Sequence, residues 1–145
     1  MSGVIVVGVD GSAASKTAVA WAIDEAAAHG DRVELVHAWE YPAVLTMSYA
    51  GPVLPVFGRD EVEKLSGDLL AVAAAEAAKR APSVIITTRL VEGHAGNVLA
   101  EASRGARLLV VGTRGLGGFK GMLMGSVSTS CAHHARCPLV IVPGA

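Results

Sequence analysis

No apolar run in this sequence approaches the ~20 residues that a membrane-spanning helix needs. The alanine-rich stretch around Leu70 is interrupted by Glu76, Lys79 and Arg80, so no membrane partner is expected. Aromatic residues are scarce, at 4%, and 12 basic side chains face 13 acidic ones, for a net charge of −1. That leaves neither a basic face for a phosphate backbone nor a stacking platform for bases, and nucleic acid drops out as a partner. Cys131 and Cys137 are the only cysteines, too few for a disulfide framework, so reduced thiols are expected. Met1-Ser2-Gly3 runs straight into Val4 without the basic segment of a secretory leader and reads as the approach to a first strand. A soluble, cytoplasmic protein of one domain, residues 1–145, is the expectation. Two nucleotide motifs are also missing: the P-loop pattern Gly-x4-Gly-Lys-Ser/Thr, and a Gly-x-Gly-x-x-Gly after the first strand. P-loop ATPases and ordinary dinucleotide dehydrogenases are thereby set aside.

What is present alternates between strand and helix patterns. Val4-Ile5-Val6-Val7 is a continuous β-branched run, as in a parallel strand covered on both faces, and it ends at Gly8-Val9-Asp10-Gly11. Ser12 is placed to cap a helix with Val19, Ala22, Ile23 and Ala26 on its inner face and Gly30 at its end. Arg32 to Trp39 reads as the second strand. The segment from Tyr41 to Phe57, with Pro42, Pro52 and Pro55, is expected to be irregular yet packed, as a lid would be. Asp60 to Ala81 predicts the longest helix, with Val62, Leu65, Leu69, Val72 and Ala73 as its buried stripe and Asp60/Lys64 and Glu76/Arg80 paired outside. A third strand over Val84 to Val91, a short helix from Ala95 to Arg104, a fourth strand over Arg107 to Val111, a last helix from Ser126 to Arg136 and a fifth strand over Pro138 to Val142 complete the order. Such alternation gives a parallel sheet with helices on both faces, whose strands all end on one edge, where ligands bind.

The glycine content is concentrated at one such end. After Leu108-Leu109-Val110-Val111 comes Gly112-Thr113-Arg114-Gly115, then, nine residues on, Gly125-Ser126-Val127-Ser128, with Gly117, Gly118 and Gly121 between. Glycine lets successive amide N–H groups turn inward around an anion, and a strand leading through such a loop into a helix is how α/β proteins hold phosphate. Arg114 and Lys120 are the loop's cations, available either to neutralise phosphate or to remain solvated. Asp10-Gly11-Ser12 should face this loop across the sheet edge.

Val6-Val7-Gly8-Val9-Asp10-Gly11-Ser12 together with Gly112-x-x-Gly115-x9-Gly125-Ser126 closely resembles the nucleotide-binding branch of the universal stress protein family. Cys137-Pro138-Leu139-Val140-Ile141-Val142-Pro143 resembles that family's ending, and Glu92-Gly93 with Val98-Leu99 its third-strand exit. The family often has an acidic residue where this chain has Arg107 and an aliphatic one where it has Cys131; neither lies in the phosphate turn. The resemblance implies an open, Rossmann-like five-stranded parallel sheet of order 3-2-1-4-5 that holds ATP, with or without Mg²⁺, across the ends of the first and fourth strands. It implies that Gly112 and Gly115, with Val111, Thr113 and Arg114 in the same turn, pass the ribose and phosphates. It further implies that Gly125, Ser126, Val127 and Ser128 grip the phosphates, that Val9, Asp10, Gly11 and Ser12 form the first-strand exit, and that Ala38 lies near the adenine. Asp10 then meets either ribose hydroxyls or a phosphate-bound Mg²⁺.

Other candidates are weaker. Cys131 and His134 share a helical face, but His133 points elsewhere and Cys137 lies at the helix end, so a metal site would be strained. Leu139-Val140-Ile141-Val142, if it lies outside the fourth strand, is an uncharged edge that a homodimer would cover, an arrangement the family commonly uses. The functional expectation is a regulatory ATP-binding module of stress response with no assigned catalytic residue, acting on client proteins the sequence does not name. Two alternatives stand beside it: a slow Mg²⁺-dependent ATP hydrolase or phosphotransferase using Asp10, and an interaction protein of the same fold that holds no nucleotide or binds cyclic AMP.

Overall fold

The computed structural model describes residues 2–41, 57–114 and 124–144. Gly115, Lys120 and the glycines between them, and most of the segment expected to pack as a lid, lie outside the described residues. The elements are β1 (Val4–Gly8), α1 (Ala13–His29), β2 (Arg32–Trp39), α2 (Arg59–Arg80), β3 (Ile86–Glu92), α3 (Ala95–Ala102), β4 (Leu108–Gly112), α4 (Ser126–His134) and β5 (Leu139–Val142). The five strands form one sheet in the order β3-β2-β1-β4-β5, every pair parallel. This is the expected α/β architecture.

Successive strand residues point to opposite faces, so a β-branched run feeds two cores at once. On one face Ile5, Val7, Val33, Leu35 and Val110 pack with Ala18, Ala22, Ile23 and Ala26 of α1 and Leu70 and Ala77 of α2. On the other, Val6, Val36, Leu109 and Val111 pack with Leu99 and Ala102 of α3 and Cys131 of α4. Alanines at four-residue spacing let α1 sit close to the sheet. Its ends follow the sequence: Ser12 Oγ accepts the Ser15 N–H at 3.1 Å, and Gly30 closes the helix in the left-handed region at φ 72°, its N–H bonded to the Ala26 carbonyl.

Helix α2 departs from expectation. Its buried side chains are Leu70 and Ala77, with Leu69, Ala73 and Ala74 partly covered, while Leu65 and Val72 are exposed. The inner face therefore lies about one residue, roughly 100°, away from the stripe read from the large aliphatics. Small residues win because they allow close approach to the sheet and to α1. The external pairing differs too: Lys64 bonds Asp68, and Arg80 leaves its own helix to grip Asp24 of α1 through two 2.8 Å bonds. The third strand starts two residues later than expected; Val84 is buried as part of the turn that enters it, and Ile85 is exposed.

Candidate functional site

The exits of β1 and β4, central neighbours in the sheet, place the two predicted anchors side by side. Beyond β1 the chain is fixed by its own polar groups. The Val9 N–H donates to the Val36 carbonyl at 2.9 Å, and the Val9 carbonyl lies 2.6 Å from His37 Nδ1, so β2 holds both backbone groups of Val9. Asp10 Oδ1 accepts the Ser12 N–H at 2.9 Å, while the Asp10 N–H donates to Ser15 Oγ at 3.1 Å. Gly11, between them, has φ +82°, a conformation that glycine adopts without strain. The result is a rigid turn that presents a half-buried Asp10 at the sheet edge. Ala38, also half-buried, sits one strand over, paired with Val91 of β3.

The β4 exit is organised around one carbonyl. Thr113 O accepts the Gly125 N–H at 2.6 Å and lies 2.9 Å from Ser128 Oγ, which also lies 3.1 Å from Gly125 O. This pulls the start of α4 against the strand end it left many residues earlier. Ser128, expected in the phosphate grip, is buried with its hydroxyl turned to these carbonyls, so its side chain works as a brace. Ser126 is exposed at the mouth, and Val127 packs on the second core. The α4 N-cap is Gly125, which has no capping side chain, and the first turn carries no acidic residue. α1 is capped by Ser12, and α2 carries Asp60 and Glu61 in its first turn; α4, like α3, has neither provision, and of these two α4 is the one that follows the glycine-bearing β4 exit. Its first amides therefore form a ready site for an anion.

Two expected binding residues have packing roles. Val111 is a buried member of the second core. A Cβ at Gly112 would come within 2.8 Å of the Ala14 backbone, so glycine is needed there for α1 to pack over the end of β4. Thr113 and Arg114 are half-buried at the exit; Gly115 lies outside the described residues.

Three features escaped sequence reasoning. His37 clamps Val9. Arg59 lies 5.2 Å over the Trp39 ring and pairs with Glu92, tying the start of α2 to the β2 and β3 exits beside Ala38. Trp39 at a strand end was the one signal for that cluster. The third lies on the opposite edge, where Arg107 bonds the buried Asp31 at 2.6 Å and reaches Glu25 at 3.4 Å. Among the described residues, no three His, Cys, Asp or Glu side chains are gathered as a metal would require. Cys131 faces the core, where burial pushes its thiol up to about 11, and His133 and His134 are exposed. No helix of the described residues is long and apolar enough to cross a membrane.

Comparison with known proteins bears on the family and the fold. The sequence model of the universal stress protein family matches residues 1–143. The universal stress protein Rv2623 of Mycobacterium tuberculosis is 37% identical over 146 residues, an alignment covering 94% of this chain and 44% of that protein. The chain thus spans less than half the length of such curated relatives. Among solved structures, a universal stress protein in complex with cAMP superimposes with a TM-score of 0.69 at 27% identity, covering 97% of this chain and 95% of that one. A family member from Burkholderia pseudomallei gives 0.71 at 27% identity, covering 98% and 96%.

Proposed function

The chain belongs to the universal stress protein family, and we propose that it is a regulatory module whose signal is occupancy by an adenine nucleotide, ATP foremost. The observation that carries this reading is the uncapped start of α4, braced by Thr113 and Ser128 beside the rigid Asp10 turn. Phosphate oxygens would accept from the Ser126, Val127 and Ser128 amides, with Arg114 at the strand exit. The ribose, or Mg²⁺ carried by the nucleotide, would meet Asp10. Ala38, half-buried at the β2 exit, would offer the base a small, apolar contact. A helix terminus alone gives an anion about 0.3–1 kcal/mol, so affinity must come from several charge-assisted bonds at roughly 1.5–3 kcal/mol each. The phosphate turn has no Walker lysine, and binding rather than turnover is the proposed role in stress response. Self-association through β5 and a cytoplasmic setting belong to the same proposal.

Ser126→Asp is the direct test. It puts a carboxylate over the amides the phosphates need, while an acid in a first helical turn leaves the apo fold at least as stable. A saturating ligand raises stability by about 2.7 kcal/mol at 100 times Kd, a shift readable in thermal unfolding. We expect ATP to raise the wild-type midpoint and to leave the Ser126→Asp midpoint in place. An ATP response retained in the variant removes the site assignment, and no wild-type response to ATP, AMP or cAMP removes the function. The relative solved with cAMP motivates a second reading, a cyclic-nucleotide receptor. Displacement of ATP by cAMP at equal or lower concentration would favour it. ADP formation that requires Mg²⁺ and is lost in Asp10→Ala would instead mark a hydrolase.

A further inference from the structure

α2 carries more apolar surface than the core consumes. One face, through Leu70 and Ala77, is buried; the next carries Leu65, Leu69 and Val72 at helical spacing, with Leu65 50% and Val72 56% exposed, and Leu69 and Val72 line a groove shared with α1. Between the helices lies a groove of about 450 Å³, floored by Val19, Ala20, Leu69 and Ala73 and rimmed by Val72. Its upper end adjoins Gly11, near Leu69, and its lower end is tied by the Arg80–Asp24 pair. Leu69 to Arg80 spans about 16 Å of helix. The volume is that of a small-molecule site.

The charges select the ligand further. Arg80 is neutralised by its two bonds to Asp24. Lys16, on α1 toward the Gly11 end, and Glu76, on α2 toward the Arg80 end, also line the groove. Neither makes an ion pair among the described residues. A single anionic group is therefore favoured at the Lys16 end and opposed at the Glu76 end.

We propose that the α1–α2 groove, whose upper end meets the nucleotide edge at Val9 and Gly11, is a second ligand site, for an unbranched amphiphile with one acidic head group, a fatty-acid-type carboxylate. The apolar chain lies along Leu69, Val72 and Ala73 and the carboxylate meets Lys16. Nucleotide binding is not required for this site.

Decanoate and decanedioate, titrated calorimetrically into the whole protein, test it. Decanoate should bind at one site and decanedioate about tenfold more weakly, because its second carboxylate enters an apolar groove that Glu76 also lines. Val72→Glu, at an exposed position where folding is tolerant, should weaken decanoate about tenfold, and Lys16→Glu should do likewise. Ala73→Phe, which fills the groove, should remove binding while the thermal midpoint remains within a few degrees of wild type. Absence of saturable decanoate binding overturns the proposal, as does unchanged affinity in Val72→Glu and Ala73→Phe. A change in oligomeric mass in Val72→Glu with decanoate affinity unchanged also overturns it, and marks the face as a contact between copies.

Discussion

Asp31 has a side chain only 2% exposed, yet it remains ionised because its partners are fixed. Burial alone would push its carboxyl up; the Gly3 N–H at 2.8 Å and the Arg107 guanidinium outweigh that and hold it below the ordinary carboxylate range. A carboxyl with a depressed folded pKa binds fewer protons than it does unfolded, so stability rises with pH across that window. Its contribution is complete above the unfolded value of about 3.9 and is lost as pH falls through the folded value. Asp31→Asn should therefore cost about 1.5–3 kcal/mol near neutrality, the worth of hydrogen bonds to a charged group. Below the acid transition the variant and wild type should converge. Urea unfolding of both proteins across the acid range checks this; a gap that stays constant with pH would show that the loss is packing and not charge.

At the scale of elements, the best-specified piece is α1, whose start is a small hydrogen-bonded circuit. Ser12 Oγ accepts from Ser15, Ser15 Oγ accepts from Asp10, and Asp10 Oδ1 accepts from Ser12. Removing the cap by Ser12→Ala should cost about 1 kcal/mol in chemical unfolding, within the roughly 0.5–2 kcal/mol range for such caps. Paired with Ser15→Ala the losses should fall short of additive, since both variants break one circuit; simple additivity would show that the bonds act independently. This element was legible because its signals are local: a Ser before an amphipathic run and a Gly after it. α2 was legible in extent but not in rotation. Leu65 and Val72 look like core by size, and only the presence of α1 and the sheet decides that alanine is the better inner surface. Its ion pairs failed for the same reason, because Arg80 found Asp24 on another helix rather than Glu76 one turn back.

For the whole molecule, strand alternation and the two glycine-bearing anchors sufficed to place Asp10 and Gly125 at one sheet edge. They could not assign Gly112 or Ser128, whose roles depend on Ala14 and Thr113, brought close only by folding. The outer strand carries the remaining consequence. β5 ends the sheet order, and its ladder to β4 uses the carbonyls of Pro138 and Val142, which accept from Leu109 and Thr113. Because backbone groups alternate along a strand, Leu139 and Ile141 direct their N–H and C=O away from β4, toward the open edge. A second copy pairing there, as proposed, would use those groups, and its apolar side chains would gain cover with them. Ile141→Pro removes an outward donor while leaving the β4 ladder its own bonds, a substitution edge strands tolerate. Sedimentation should show wild-type dimers dissociating about tenfold more readily in the variant, with the far-ultraviolet dichroism of the sheet retained. A wild-type monomer at high concentration ends the proposal, and an unweakened Ile141→Pro dimer moves the interface off this edge, leaving the uncovered apolar face of α2 as the next surface to test.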